Sequence, residues 1–140
     1  MVRPNILCVG YEPRLLETRS MILRQAGYVV HEASILAVAL SKMESDFIDG
    51  LLICNSIPRK QQEWFVTQVT NKRRLLPILC IKSHPYDQGV RGCTRVNGEP
   101  ESLLTAIGAY ARKYEAEPFR VMQRLVDASD NSRRLKARMS

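Results

Sequence analysis

Glu12, Cys54 and Lys82 are the side chains of this 140-residue chain that could do chemistry together. Each lies at or just beyond the end of a short apolar run: Asn5-Ile-Leu-Cys-Val9, Leu51-Leu-Ile53 and Pro77-Ile-Leu-Cys-Ile81. If these runs are neighbouring strands, the three side chains share one edge of a sheet. A thiol beside an ammonium group has a lowered pKa and can act as a nucleophile or redox sensor. The plainer reading makes Cys54 a neutral space-filler. Glu12 and Lys82 carry opposite charges at adjacent strand ends, where such groups tend to pair. His31 and His84 fall on different elements, and no spacing supports a His–Cys dyad, so both read as surface or turn histidines. One glutamate and a thiol make a poor magnesium site, because that ion prefers carboxylates and water. No metal and no cofactor is expected.

The other cysteines, at positions 8, 80 and 93, form no C-x-x-C clip that would suggest zinc. A disulfide framework is not expected in a chain long enough to bury a core, so the three read as small buried hydrophobes within strands. Hydrophobic residues make up 45% of the chain and charged residues 25%, an ordinary balance for a soluble domain. No apolar run approaches the ~20 residues that cross a bilayer. The opening Met-Val-Arg-Pro-Asn runs into a strand without the apolar region of a signal peptide, which makes a cytoplasmic domain the expectation. The net charge of +7 is uneven: residues 118–140 hold six basic side chains (Arg120, Arg124, Arg133, Arg134, Lys136, Arg138) against Asp127 and Asp130.

The elements that must position the reactive residues alternate along the chain. Asn5–Val9 is apolar throughout, as a strand buried on both faces requires. Pro13 opens a helix whose stripe is Leu15, Leu16, Ile22, Leu23 and Ala26, and Gly27 closes it. Tyr28–His31 is a second strand, and Ser34 is placed to cap a helix with Leu36, Ala39, Leu40 and Met43 inward. Asp49–Cys54 is the third strand. A helix over residues 61–72 offers Trp64, Phe65 and Val69 for burial. Pro77–Ile81 and Cys93–Val96 are the fourth and fifth strands, and Pro100 opens a last helix through Leu103, Leu104, Ile107 and Tyr110. Such alternation implies parallel pairing through right-handed crossovers.

Several phrases together resemble the response-regulator receiver family, the CheY-like domains. Ile6-Leu-Cys-Val-Gly10-Tyr11-Glu12-Pro13 is similar to the family's opening strand, in which two aspartates precede Glu-Pro. Ala26-Gly-Tyr-Val-Val-His-Glu-Ala33 resembles its second strand, and Ala39-Leu40 its second helix. Asp49-Gly-Leu-Leu-Ile-Cys54-Asn-Ser-Ile-Pro58 resembles the strand that ends in the phosphorylated aspartate. Pro77–Ser83, then Val96-Asn97 with Glu99–Leu104, resemble the fourth strand and the segment after the fifth. The resemblance covers residues 4–114. It implies a flavodoxin-like three-layer αβα sandwich, with five parallel strands in order 2-1-3-4-5 and the site at their carboxyl ends.

At the family's catalytic positions this chain departs from the pattern. Gly10 and Tyr11 stand where metal-binding carboxylates belong, and only Glu12 stays acidic. Cys54 replaces the phosphoacceptor. Lys82 takes the hydroxyl position, with Ser83 one residue on, and Val96 takes the lysine position, with Arg95 beside it. The stretch Ser83–Gly92 is short, so the family's fourth helix is expected to be shortened or missing. The resemblance thus implies a degenerate, pseudo-receiver domain over residues 1–116 of two-component or phosphorelay signalling. It would be no enzyme, but an interaction module for a sensor kinase or effector, independent of phosphorylation. A homodimer is compatible with this reading.

Residues 117–140 read as a basic, partly helical extension, with Phe119, Met122, Leu125 and Val126 at helical spacing. That stripe either packs back on the domain or docks elsewhere; an expectation follows that the segment serves binding. Nucleic-acid binding by this tail, with Lys72-Arg73-Arg74, is the alternative function. The base-reading motifs of familiar nucleic-acid-binding modules are absent.

Overall fold

The computed structural model describes residues 3–84, 86, 87 and 89–116. Nine elements follow in order: β1 (Asn5–Val9), α1 (Pro13–Gln25), β2 (Val29–Ala33), α2 (Leu36–Ser45), β3 (Gly50–Ile53), α3 (Arg59–Lys72), β4 (Ile78–Ile81), β5 (Thr94–Val96) and α4 (Pro100–Ala116). The strands form one parallel sheet in the order β2-β1-β3-β4-β5. The flavodoxin-like arrangement expected from the sequence is the one observed. The extension expected over residues 117–140 lies outside the described residues.

The apolar runs explain the sheet. β1, β3 and β4 are buried along almost their whole length, because helices cover both faces of a parallel sheet. Alternate residues feed two cores. Leu7, Val9, Leu51 and Ile53 face α2 and α3, meeting Leu36, Ala39, Met43, Phe65, Val66 and Val69. Cys8, Leu52, Leu79, Ile81 and Val96 face α1 and α4, meeting Leu16, Leu23, Leu103 and Ile107. Register is tight at the centre, where Val9 pairs with Ile53 and Ile53 with Cys80. The ends of β1, β3 and β4 are therefore level.

Four details correct the sequence reading. Trp64 is 50% exposed, while Phe65, Val66 and Val69 carry the buried face of α3. Ser34 does not cap α2; Ile35 is the cap residue, without a side-chain hydrogen bond. Leu15 and Ala26 lie on the outer side of α1, and its inner face runs through Leu16, Arg19, Ser20 and Leu23. Cys80 and Cys93, expected to be separate small hydrophobes, form a disulfide. The two residues sit diagonally across the β4–β5 ladder, since Cys80 pairs with Arg95 and Cys93 precedes Arg95 by two positions on the same face.

Between β4 and β5 no helix forms among the described residues. Val90 drops into the core on the α3 side, and Gly92, at φ +94°, passes close to Val66. Asp87 holds the turn. Its carboxylate accepts hydrogen bonds from the Gly89 N–H (2.7 Å), the Ser83 N–H (3.1 Å) and the Ser83 hydroxyl (3.0 Å). These bonds pull its pKa down to about 2, the Gly89 contact contributing most.

Candidate functional site

The level strand ends bring four loops together at the carboxyl edge of the sheet. Gly10–Glu12 follow β1, Cys54–Ser56 follow β3, Lys82 follows β4 and Gly98 follows β5. Cys54 is 0% exposed, and its backbone N–H donates to Val9 O at 2.8 Å. Gly10 lies directly against it. A Cβ built on Gly10 would stand 2.9 Å from Cys54 Cβ, 3.2 Å from its Sγ and 3.3 Å from Ser56 Oγ. A side chain at position 10 would have to shift Cys54 or Ser56.

Ser56 organises the loop after β1. Its hydroxyl oxygen accepts from the Tyr11 N–H (2.9 Å) and the Glu12 N–H (3.3 Å). The Tyr11 hydroxyl reaches across and donates to Gln61 on α3. Glu12 does not pair with Lys82 as expected. Its carboxylate turns back and caps α1, accepting from the Arg14 N–H (3.3 Å) and the Leu15 N–H (2.8 Å). A cap satisfies donors that the first helical turn leaves open, and the partial positive charge there favours the carboxylate.

The cation of the site is Arg19, which the sequence reading missed. It projects inward from α1, is 8% exposed, and donates from Nη1 to Asn55 Oδ1 at 3.2 Å. A Cβ at position 98 would stand 2.9 Å from Nη2, so Gly98 lets the loop after β5 close over the guanidinium. The signal was present: Arg19 falls between Leu16 and Leu23 at the spacing of the buried stripe. Burial raises the pKa of the Cys54 thiol, and neighbouring Arg19 pulls against that shift without reversing it. Cys8, behind it in the same core, is pushed up to about 12 by burial, with Cys54 adding to the effect.

The remaining sequence candidates disperse. Lys82 is half-buried, and its N–H donates to Val96 O at 2.8 Å. Arg19, not Lys82, is the cation that acts on Cys54. Ser83 is engaged by Asp87 in the turn. Val96 packs into the core with Ile81 and Leu103, while Arg95, one residue earlier, is exposed on the opposite face with its stem against Gly89. His84 is exposed in the turn, and His31 is half-buried with Nε2 3.3 Å from Asn5 Oδ1. Among the described residues, no three His, Cys, Asp or Glu side chains gather where they could hold a metal. No described helix is long and apolar enough to cross a membrane.

Solved structures that superpose on this chain include receiver domains. A CheY-like response-regulator receiver domain from Methanospirillum hungatei superposes with a TM-score of 0.68 at 18% identity, covering 83% of this chain and 100% of that one. This chain has the receiver fold. The chemotaxis protein CheY4 of Vibrio cholerae matches at TM-score 0.66 and 23% identity, over 78% of this chain and 99% of its own. The response regulator TrrA, solved in complex with the histidine kinase ThkA, matches at TM-score 0.65 and 17% identity, over 76% and 97%. TrrA is from Thermotoga maritima. No protein-family model matches the sequence, and no curated protein matches it as a relative. In open α/β sheets ligands bind outside the carboxyl ends of the strands, and there this chain sets a buried thiol, a glycine and a buried arginine.

Proposed function

We propose that this chain is a pseudo-receiver of two-component signalling: a protein–protein interaction module that works without phosphorylation, and not an enzyme. One observation carries the reading. The end of β3 holds Cys54, packed against Gly10 and beside Arg19, so the pocket that would hold a phosphoacceptor and its metal is occupied by the protein's own side chains. Acyl-phosphate formation needs a carboxylate nucleophile, which a thiol does not supply. Glu12 is committed to capping α1. A magnesium ion would find no pair of carboxylates at positions 10 and 11. The receiver fold supplies the signalling context, and the structure of TrrA with a histidine kinase supports a protein as the partner class. We assign binding of that partner in part to the basic stretch 117–140, a reading that rests on its sequence alone.

The test is direct. Incubation with acetyl phosphate and magnesium should leave the intact mass unchanged under conditions that label an ordinary receiver domain. An adduct of one phosphoryl group that disappears in Cys54→Ala would sink the reading. An adduct that survives Cys54→Ala would place a phosphoacceptor elsewhere and sink it equally.

A further inference from the structure

We propose that Cys80 and Cys93 form a reversible thiol–disulfide latch on the β5 edge of the sheet, exchanged by a small thiol–disulfide couple of the glutathione class. The latch stands apart from the signalling reading, because its chemistry needs no partner protein. Three observations support it.

The pair joins an edge strand to its neighbour at a weak place. β5 has three residues and pairs only with β4, through Leu79–Thr94, Cys80–Arg95 and Ile81–Val96. The segment before it carries no helix among the described residues and is anchored by Val90 and the Asp87 turn. A bond between Cys80 and Cys93, 13 positions apart in sequence, closes this segment into a ring. Cross-linking restricts what the segment can do when it opens.

Each oxidation state has a place to rest. In the disulfide the Cα atoms are 6.1 Å apart, within bridging range. Cys93 Sγ stands 3.2 Å from Val90 O in the disulfide-bonded structure, so reduction would put the new thiol S–H beside an acceptor. Cys80, 3% exposed in an apolar core, then serves as a small hydrophobe. Reduction leaves neither sulfur poorly accommodated.

Access is graded along the chain. Cys93 is half-buried, whereas Cys8, Cys54 and Cys80 are buried. Oxidation therefore starts at Cys93. Its thiolate attacks one sulfur of the oxidant disulfide, and the oxidant's other sulfur leaves as a thiolate. The Cys80 thiolate then attacks Cys93 Sγ in the mixed disulfide and expels the second thiolate. Two electrons and two protons pass from the protein to the couple, which leaves as two thiols. Reduction runs the same steps backwards.

The experiment uses the full chain. The protein is equilibrated across glutathione buffers from reduced to oxidised, quenched with a maleimide under denaturing conditions, and mapped by intact mass and peptides. The four alkylated thiols of the reduced chain should fall to two, Cys80 and Cys93 disappearing together and returning on reduction. Limited proteolysis within residues 83–92 should run about tenfold faster in the reduced form. Cys93→Ser keeps a donor for Val90 O, so it should fold, match the reduced protein in every buffer and lose the redox dependence. The proposal is overturned if four thiols persist in the oxidised buffers, or if Cys8 or Cys54 is the residue that disappears. Equal cleavage in both redox states, or redox-dependent cleavage in Cys93→Ser, overturns it as well.

Discussion

The ends of β3 and β4 lie side by side on one sheet edge, yet the chain treats them in opposite ways. After β3 the frame is intact, and its centre is filled by side chains that reach across from other elements. Arg19 comes from α1, Ser56 grips the loop after β1, and Gly10 and Gly98 give way to their neighbours. After β4 a loop, an aspartate turn and a disulfide stand, among the described residues, where the receiver resemblance calls for a helix. The first region is held by polar contacts between distant parts of the chain, partly withdrawn from solvent around the buried Arg19. The second is held by local bonds to Asp87, one covalent clip and Val90 seated in the core. The level strand ends tolerate a centre filled by side chains from other elements, whereas a segment without a helix depends on local constraints of its own.

Arg19 gives the sharpest test of the buried region. Its guanidinium has a neutral acceptor in Asn55 and forms no ion pair among the described residues. Arg19→Ala removes both packing and the donor to Asn55, and should lower stability by about 2–4 kcal/mol in urea unfolding. Arg19→Met keeps most of the apolar stem and spares the protein a buried charge, so the loss should be less than about half as large. If the two variants are equally damaging, the hydrogen bond and charge dominate over shape. If both losses stay under about 0.5 kcal/mol, as for an ordinary surface change, the β3 end is not held as described.

Glu12 tests the β3 side of the edge, where its N–H is held by Ser56. As a helix cap its carboxylate matters for stability and nothing else, so Glu12→Ala should cost about 1 kcal/mol. Each protein should keep its own melting temperature, the variant's the lower, whether or not millimolar magnesium is added, since no metal couples to either. A magnesium-dependent rise in wild type that vanishes in Glu12→Ala would make Glu12 a ligand and reopen the reading of the whole edge.

The same contrast decides what could be read from the sequence. The strands and helices were legible because the signals are local: apolar runs for β1, β3 and β4, Pro13 for α1, and the stripe from Leu103 to Ile107 for α4. The strand order came with the receiver resemblance. The positions after β3 were legible too, because Gly10 and Cys54 are departures from a known pattern. Arg19 had a positional signal in the stripe of α1, but its residue type argued the other way, since charged residues are almost never fully buried unless paired. Its burial depends on Asn55 and Gly98, far along the chain. The Cys80–Cys93 bond was not legible, since it depends on a diagonal placement across two strands that spacing alone does not reveal. Trp64 went wrong for a related reason: α3 has two adjacent aromatics, and only Phe65 meets the sheet.

The smallest expected effect belongs to Asp87, and its sign separates the two regions by pH. The carboxylate's folded pKa is depressed to about 2 by hydrogen bonds from Gly89 and Ser83. A depressed pKa means that the turn gains stability from the ionised form. That contribution is complete above the ordinary carboxylate pKa of about 4 and drains away as pH falls from there toward 2. Asp87→Asn keeps an acceptor for the Gly89 N–H but has no charge to lose. At pH 7 it should be less stable than wild type by under about 1 kcal/mol, because the turn lies near solvent and screening discounts the shift. The gap should persist down to pH 5 and close as pH approaches 2. Urea midpoints taken across that range, with the disulfide kept oxidised throughout, would show it. The loss in Arg19→Ala should stay constant over the same interval, because guanidinium does not titrate there. Parallel acid limbs for wild type and Asp87→Asn would mean that the turn's carboxylate does not help hold the trimmed flank, leaving Val90 and the disulfide to fix the segment between β4 and β5.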